Sequence, residues 1–176
     1  MATPEFILRL REKIGHDLLW LIGVTAYVED GEGRVLLGRR SDTGEWALVY
    51  GINEPGEEPA DTVIREVAEE TGVDVVPTGL VRVAAQRHET VYANGDRTQY
   101  LDLMFACRLA EGGCAVPRVG DDESLAVGWF PPDALPEPLA PSTVERLGAL
   151  AAWREAGASA ALFSFGSWGS AATPES

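Results

Sequence analysis

Three glutamates stand within five residues, at positions 66, 69 and 70, inside the stretch GINEPGEEPADTVIREVAEETGV that runs from Gly51 to Val73. The second half of that stretch has helical spacing. At about 100° per residue, Ala60, Val63, Ile64, Val67, Ala68 and Thr71 share one apolar arc, the expected buried stripe. Gly72 is a natural stop, so a helix is expected from about Ala60 to Thr71. Glu66, Glu69 and Glu70 fall on a second arc beside the first. Carboxylates at i, i+3 and i+4 repel, each close pair costing a few tenths of a kcal/mol on an exposed helix. Two outcomes are open. The acids form a solvated face, or a divalent cation that needs several oxygen ligands in one place reverses the sign of their interaction.

Strand-type runs surround this helix. LLWLIGVTAYVED, the turn EDGEGR and RVLLGRR read as a hairpin, and EWALVY as a short further strand. LVRVAAQRHETVYANGDRTQYLDLMFACRL reads as two long strands joined by a tight NGD turn, and LAVGWF as another strand. PPDAL suggests a short helical turn, and PSTVERLGALAAWREAG a helix opened by a capping box from Ser142 to Glu145. Near the N-terminus, Ile7, Leu10, Ile14 and Leu18 form an apolar helical stripe whose end Gly15 weakens. This order implies an α/β (α+β) sandwich, a mixed β-sheet between helices. The expected organisation is an N-terminal helical arm at 1–18, one domain at 19–156 and a flexible Ala/Gly/Ser-rich tail at 157–176.

Charge excludes some functions. Against 28 acidic residues there are 14 basic ones, a net charge of -14, so a nucleic-acid polymer is not an expected partner. No apolar run is long enough to cross a bilayer, and charged residues among the first thirteen positions argue against a secretory signal. Cys107 and Cys114 lack metal-type or disulfide-framework spacing, so free thiols in a reducing cytoplasm are expected. An acidic chain can still bind a small polyanion through a divalent cation.

The stretch from Gly51 to Val73 resembles the Nudix box, the signature of the Nudix hydrolase superfamily. Gly51, Glu57, Arg65, Glu66, Val67, Glu69, Glu70, Gly72 and Val73 fill every specified position of that pattern. A chance match arises on the order of once per 10⁹ starting points. The resemblance implies the Nudix fold, with the box as a loop-helix-loop, and a magnesium- or manganese-dependent hydrolase that splits a diphosphate in a nucleoside diphosphate derivative. It implies Glu66, Glu69 and Glu70 as metal ligands, with the carbonyl of Tyr50. It assigns water activation to Glu66 or a nearby carboxylate, and bracing of the loop to an ion pair between Glu57 and Arg65. Tyr50 departs from the Pro-Gly-Gly entry common in the family, since this chain reads LVYG.

Further residues are candidates by position. Glu123, in GDDESLAVGWF, matches the place where many Nudix enzymes recruit another carboxylate, as ligand or base. An ordinary acidic loop is the alternative for it and its neighbours Asp121 and Asp122. Arg40 matches a substrate-contacting position in some relatives, against an ordinary surface role. Alternation along TQYLDLMFAC sends Leu101, Leu103, Phe105 and Cys107 to one face, and Tyr100, Asp102, Met104 and Ala106 to the other. A base or sugar could lie against the second face, where Tyr100 and Asp102 would touch substrate, although plain core packing also explains it. Trp20, Trp46 and Trp129 are expected in the core, and His16 and His88 are read as structural. The N-terminal stripe packs either on the core or on a second subunit, homodimers being frequent in the superfamily. The alternative function is a catalytically inactive Nudix-fold nucleotide sensor or partner-binding module.

Overall fold

The computed structural model describes residues 3–120 and 123–163. Helix α1 (Glu5–Ile14) leads into β1 (Leu19–Glu29), β2 (Val35–Arg40), β3 (Trp46–Ala47) and β4 (Val49–Ile52). Helix α2 (Pro59–Thr71) follows, then β5 (Val75–Ala85), β6 (Thr90–Val91), β7 (Arg97–Leu109), β8 (Ser124–Phe130), α3 (Pro141–Glu155) and β9 (Leu162–Phe163). The strands form one mixed sheet whose main path runs β3-β2-β1-β7-β5-β9. Its spine is the parallel pair β1 and β7, in register from Leu19 opposite Thr98 to Glu29 opposite Arg108. Antiparallel β4 lies along the other edge of β1, with Tyr50 opposite Thr25 and Gly51 opposite Val24.

Alternation along the strands divides the core in two. Val24, Val28 and Cys107 join Val63 and Val67 of α2 on one face, while Tyr27, Met104 and Ala106 join Leu150 and Trp153 of α3 on the other. The chain is therefore an α/β/α sandwich, as its order of elements implies. Val63 and Val67 are wholly buried, each worth about 1.5–3 kcal/mol. Among the described residues, no helix is long and apolar enough to cross a membrane.

Several local expectations need correction. The segment EWALVY divides into β3 and β4. The NGD turn joins β6 to β7, because residues 86–89 interrupt the first long strand. PPDAL forms a hydrogen-bonded turn rather than helix. No capping box starts α3: Ala140 is its N-cap, Pro141 takes the first helical position and no side chain caps it. Glu145 is drawn instead to Arg82 of β5, 2.7 Å away.

Trp46 and Trp129 are half-buried against the two core clusters, but Trp20 is 54% exposed. Trp20 shares its side of β1 with Ile22, also exposed, on the part of the strand before α2 begins to cover it at Val24. On α1, Ile7 is buried and Leu10 exposed, and Leu18 lies beyond the helix. Gly15 ends α1 with φ 58. Arg11 holds the arm by donating to the carbonyl oxygens of Gly15, Asp17 and Arg97. In the expected tail, Leu162 pairs with Arg82 and Phe163 with Val83 on the edge of β5. Residues 164–176, with Phe165 and Trp168, lie outside the described residues, as do Asp121 and Asp122.

Candidate active site

The loop between β4 and α2 is held from inside. The Asn53 side-chain amide donates to the Glu57 carbonyl oxygen at 3.0 Å and to the Thr62 hydroxyl at 2.7 Å. Thr62 in turn donates to Glu57 Oε2 at 2.8 Å. Arg65 grips the same carboxylate with two bonds, Nε to Oε1 at 2.9 Å and Nη2 to Oε2 at 3.1 Å. Such a two-pronged, charge-assisted contact fixes orientation as well as distance. Arg65 and then Thr62 hold the Glu57 carboxyl below the usual carboxylate range, despite its partial burial. The expected ion pair between Glu57 and Arg65 is present, joining the loop to the second turn of the helix.

Arg65 reaches further. Its Nη1 donates to Glu66 Oε1 at 2.9 Å and to Glu69 Oε2 at 3.1 Å, so one guanidinium nitrogen lies between two carboxylates of the same helix. Glu66 is 2% exposed, whereas Glu69 is 57% exposed on its side chain. Burial pushes the Glu66 carboxyl up to about 7, with Arg65 pulling the other way. Directly above it lies Gly51. A Cβ at that position would sit 2.0 Å from Glu66 Cδ and 2.1 Å from Oε1, so only glycine lets β4 cross the carboxylate.

The buried side of α2 consequently differs from the expected stripe. Thr62, Val63, Glu66, Val67 and Thr71 are buried, while Ile64 is exposed. The helix is turned by roughly a fifth of a revolution, bringing its acids under the loop and Ile64 outward. Among the described residues, no three acidic, histidine or cysteine side chains gather where an ion could be held. With like charges repelling, the guanidinium of Arg65 fills the space between Glu66 and Glu69.

A second loop closes the other end of α2. Arg118 N donates to the Thr71 carbonyl at 2.8 Å and Gly120 N to that of Glu70 at 3.0 Å. These bonds satisfy two carbonyls that the helix end leaves open. A Cβ on Gly120 would come within 1.7 Å of the Glu69 carbonyl oxygen. Glu123 stands immediately before the start of β8, where its carbonyl accepts from Ser41 N at 2.7 Å.

Tyr50 faces the other way. Pleating sends its ring to the α3 side of the sheet, while Gly51 covers Glu66 on the α2 side. Two guanidinium groups approach that ring: Arg40 Cζ at 5.1 Å and Arg146 Cζ at 5.5 Å from its centroid. Each has its own carboxylate. Arg40 Nε donates to Asp42 Oδ1 at 2.8 Å, and Arg146 Nε to Asp102 Oδ2 at 3.1 Å. The buried Thr25 hydroxyl donates to the other oxygen of Asp102 at 2.7 Å. Tyr100 lies further along β7, its hydroxyl 3.0 Å from that of Tyr92. Burial and that partner push its phenol upward. A Cβ on Gly23 would be 3.4 Å from the Tyr100 ring and 3.7 Å from the Gly51 carbonyl oxygen, so Tyr100 lies near β4 at Gly51.

The fold thus brings together Arg65, Glu66 and Glu69 on one side of β4, and Arg40, Tyr50 and Asp102 on the other. Arg146, Thr62, Asn53 and Gly120 were not singled out in the sequence. Arg146 lies in an ordinary amphipathic helix, and only its register against β7 reveals it. His16 does contact an acid, Asp96, at 2.8 Å, but on the surface beside Arg11.

A sandwich with a helix on each face thus carries an acidic helix crossed by a glycine and braced by one arginine. A family model for the NUDIX domain matches residues 20–150. The chain belongs to the Nudix family. A MutT-like protein of Streptomyces ambofaciens is 37% identical over 68% of this chain and 69% of its own length. The mouse protein named 8-oxo-dGDP phosphatase NUDT18 is 30% identical over 78% of this chain, which spans only 39% of that relative's length. Among solved structures, a MutT NUDIX hydrolase from Burkholderia pseudomallei superposes with a TM-score of 0.62 at 28% identity, covering 75% of this chain and 98% of that one.

Proposed function

We propose that this chain hydrolyses the diphosphate linkage of a nucleoside diphosphate derivative with the aid of magnesium or manganese. As a Nudix hydrolase it belongs to the pyrophosphohydrolase class. The observation that carries the reading is the buried Glu66 carboxylate beneath Gly51, sharing one cationic nitrogen with Glu69. A protein does not keep a carboxylate in so dry a place for stability, since burial costs more than the pairing returns.

The donor set suits a hard divalent ion. Glu66, Glu69 and Glu70 are oxygen donors on adjacent turns of one helix, the right chemistry for such an ion. Their side chains do not converge on one point among the described residues, with Arg65 between Glu66 and Glu69. Arg65 already marks a point between two of them where positive charge is favoured. Glu66, Glu69, Glu70 and the carbonyl of Tyr50 are the residues that would hold the ion. When bound, such an ion neutralises phosphate oxygens and lowers the pKa of a coordinated water.

The chain's own residues do the rest. Glu57 and Arg65 hold the loop against the helix, and Gly51 lets the strand lie over the acid. Glu66, or a further carboxylate such as Glu123, accepts the proton of the attacking water. Arg40, Tyr50, Tyr100 and Asp102 receive the nucleoside part, on the face of the sheet opposite the acids.

The test is turnover of dNTPs, oxidised dGDP, ADP-ribose, dinucleoside polyphosphates and NDP-sugars with magnesium, in wild type and in Glu69→Gln and Glu70→Gln. A substrate cleaved by wild type, and at least about a hundredfold more slowly by the variants, is expected. No cleavage across the panel, or variants equal to wild type, would refute the reading. Tight binding without cleavage would identify a nucleotide sensor instead.

A further inference from the structure

The direction of Arg146 is set by a carboxylate and an aromatic ring. Its Nε donates to Asp102 at 3.1 Å, and Asp102 is itself anchored by the buried Thr25 hydroxyl at 2.7 Å. Its guanidinium lies 5.5 Å from the centre of the Tyr50 ring. The side chain is 17% exposed and Asp102 16%, so the pair is mostly withdrawn from water. Yet neither Nη nitrogen has a hydrogen-bond partner among the described residues, and neither is sealed from solvent. An arginine fork with its Nε tied and its two outer donors open is built to meet something flat that offers two acceptors.

Two kinds of ligand edge present paired acceptors: an anion such as phosphate, and the O6/N7 edge of a 6-oxopurine base. Local charge favours the second. Around Tyr50 the cations Arg40 and Arg146 are each matched by a carboxylate, Asp42 and Asp102, so the cluster sums to zero. An anion would gain little there, whereas a neutral base edge needs donors rather than excess charge. Position agrees. The acids lie on the α2 side of β4 and the Tyr50 ring on the α3 side, one residue apart in the strand. A diphosphate held at the acids would therefore carry its nucleoside around β4 onto this wall.

We propose that Arg146, oriented by Asp102 and Thr25, reads the base of the substrate and selects a 6-oxopurine over a 6-aminopurine. This rests on the reading of the acidic helix as the diphosphate site, but its consequence appears in binding, apart from hydrolysis. The adenine edge offers N7 as acceptor and an amino group as donor, so the fork would face one matched and one repelling group. A well-formed bidentate contact discriminates by about 5- to 150-fold.

The experiment is calorimetric titration of the full chain with GDP, IDP and ADP in magnesium. IDP keeps O6 and N7 but lacks the 2-amino group of GDP. Wild type should bind GDP and IDP alike, and both at least about tenfold more tightly than ADP. Arg146→Lys, which keeps charge and most of the stem, should bring the GDP to ADP ratio close to one. Wild type binding ADP as well as GDP would overturn the proposal, as would IDP grouping with ADP, no binding of any of the three, or Arg146→Lys weakening all three equally. The wild-type comparison stands even if the variant misfolds. Failure of Glu69→Gln to slow hydrolysis, with the base preference intact, would instead count against the acidic helix as the catalytic element.

Discussion

Replacing Glu66 by glutamine separates what this side chain does for function from what it costs the fold. In the folded chain its carboxyl titrates at about 7, against 4.5 for an unhindered glutamate, because burial disfavours its charge more than Arg65 supports it. A carboxyl raised on folding binds more protons in the native state. The native state is therefore relatively destabilised as pH climbs from 4.5 to about 7, and the penalty is constant above that. At about 1.4 kcal/mol per pH unit, the full penalty is roughly 3 kcal/mol. Glutamine has nearly the same shape and no charge to desolvate. In EDTA, Glu66→Gln should thus match wild type near pH 4.5 and exceed it by roughly 3 kcal/mol at pH 8. For a domain of this size that is about 6–12 °C in Tm. Thermal denaturation by circular dichroism across this pH range measures the gap directly. Magnesium should reverse the order by stabilising wild type alone, through mass action on the folded state. A variant less stable than wild type at pH 8 in EDTA, or a gap independent of pH, would refute the account of Glu66 as a strained, functional carboxylate.

Gly51→Ala should push Glu66 out of its place, because the new methyl would lie 2.0 Å from Glu66 Cδ. A loss of about 1–3 kcal/mol in urea denaturation and the loss of nearly all hydrolysis are expected. Arg65→Met removes the shared partner of Glu57, Glu66 and Glu69 and should cost about 2–4 kcal/mol, with magnesium recovering part of it; equal stability in magnesium-free buffer would contradict the clamp. Glu57, whose carboxyl Arg65 and Thr62 hold low, contributes stability present above its unfolded pKa near 4.5 and lost as pH falls through its lower folded value. Glu57→Gln should therefore flatten the acid limb of the stability profile. Gly120→Ala, whose methyl would overlap the Glu69 carbonyl, should lift the loop from the end of α2, read as faster amide exchange at Arg118 and Gly120.

Local chemistry carried a large part of this protein. Spacing within twenty-odd residues located α2 to within one residue at its start and placed Gly72 at its end, where φ is 67. Alternation along β7 assigned Phe105 and Cys107 to one face and Met104 and Ala106 to the other, as the two core clusters have them. The pairing of Glu57 with Arg65, eight residues apart, is what the resemblance to the Nudix box implies, and it is present. Such features depend on neighbours a few positions away, which a linear pattern records.

What tertiary structure decided depends on residues far apart. Helical spacing put Ile64 in the core and left Glu66 beside it; the passage of Gly51 over the helix rotated Glu66 inward instead. Trp20 stays exposed because α2 packs on β1 at Val24 and Val28 and leaves Trp20 and Ile22 outside, a matter of where a helix about 40 residues later comes to lie. Arg146 meets Asp102 across 44 positions and Tyr50 across a gap larger still. Side-chain type and short-range periodicity set which groups a chain owns and how each segment folds. Which of those groups share a dry space is set by long-range packing, where one missing methyl or one turn of a helix outweighs any local preference.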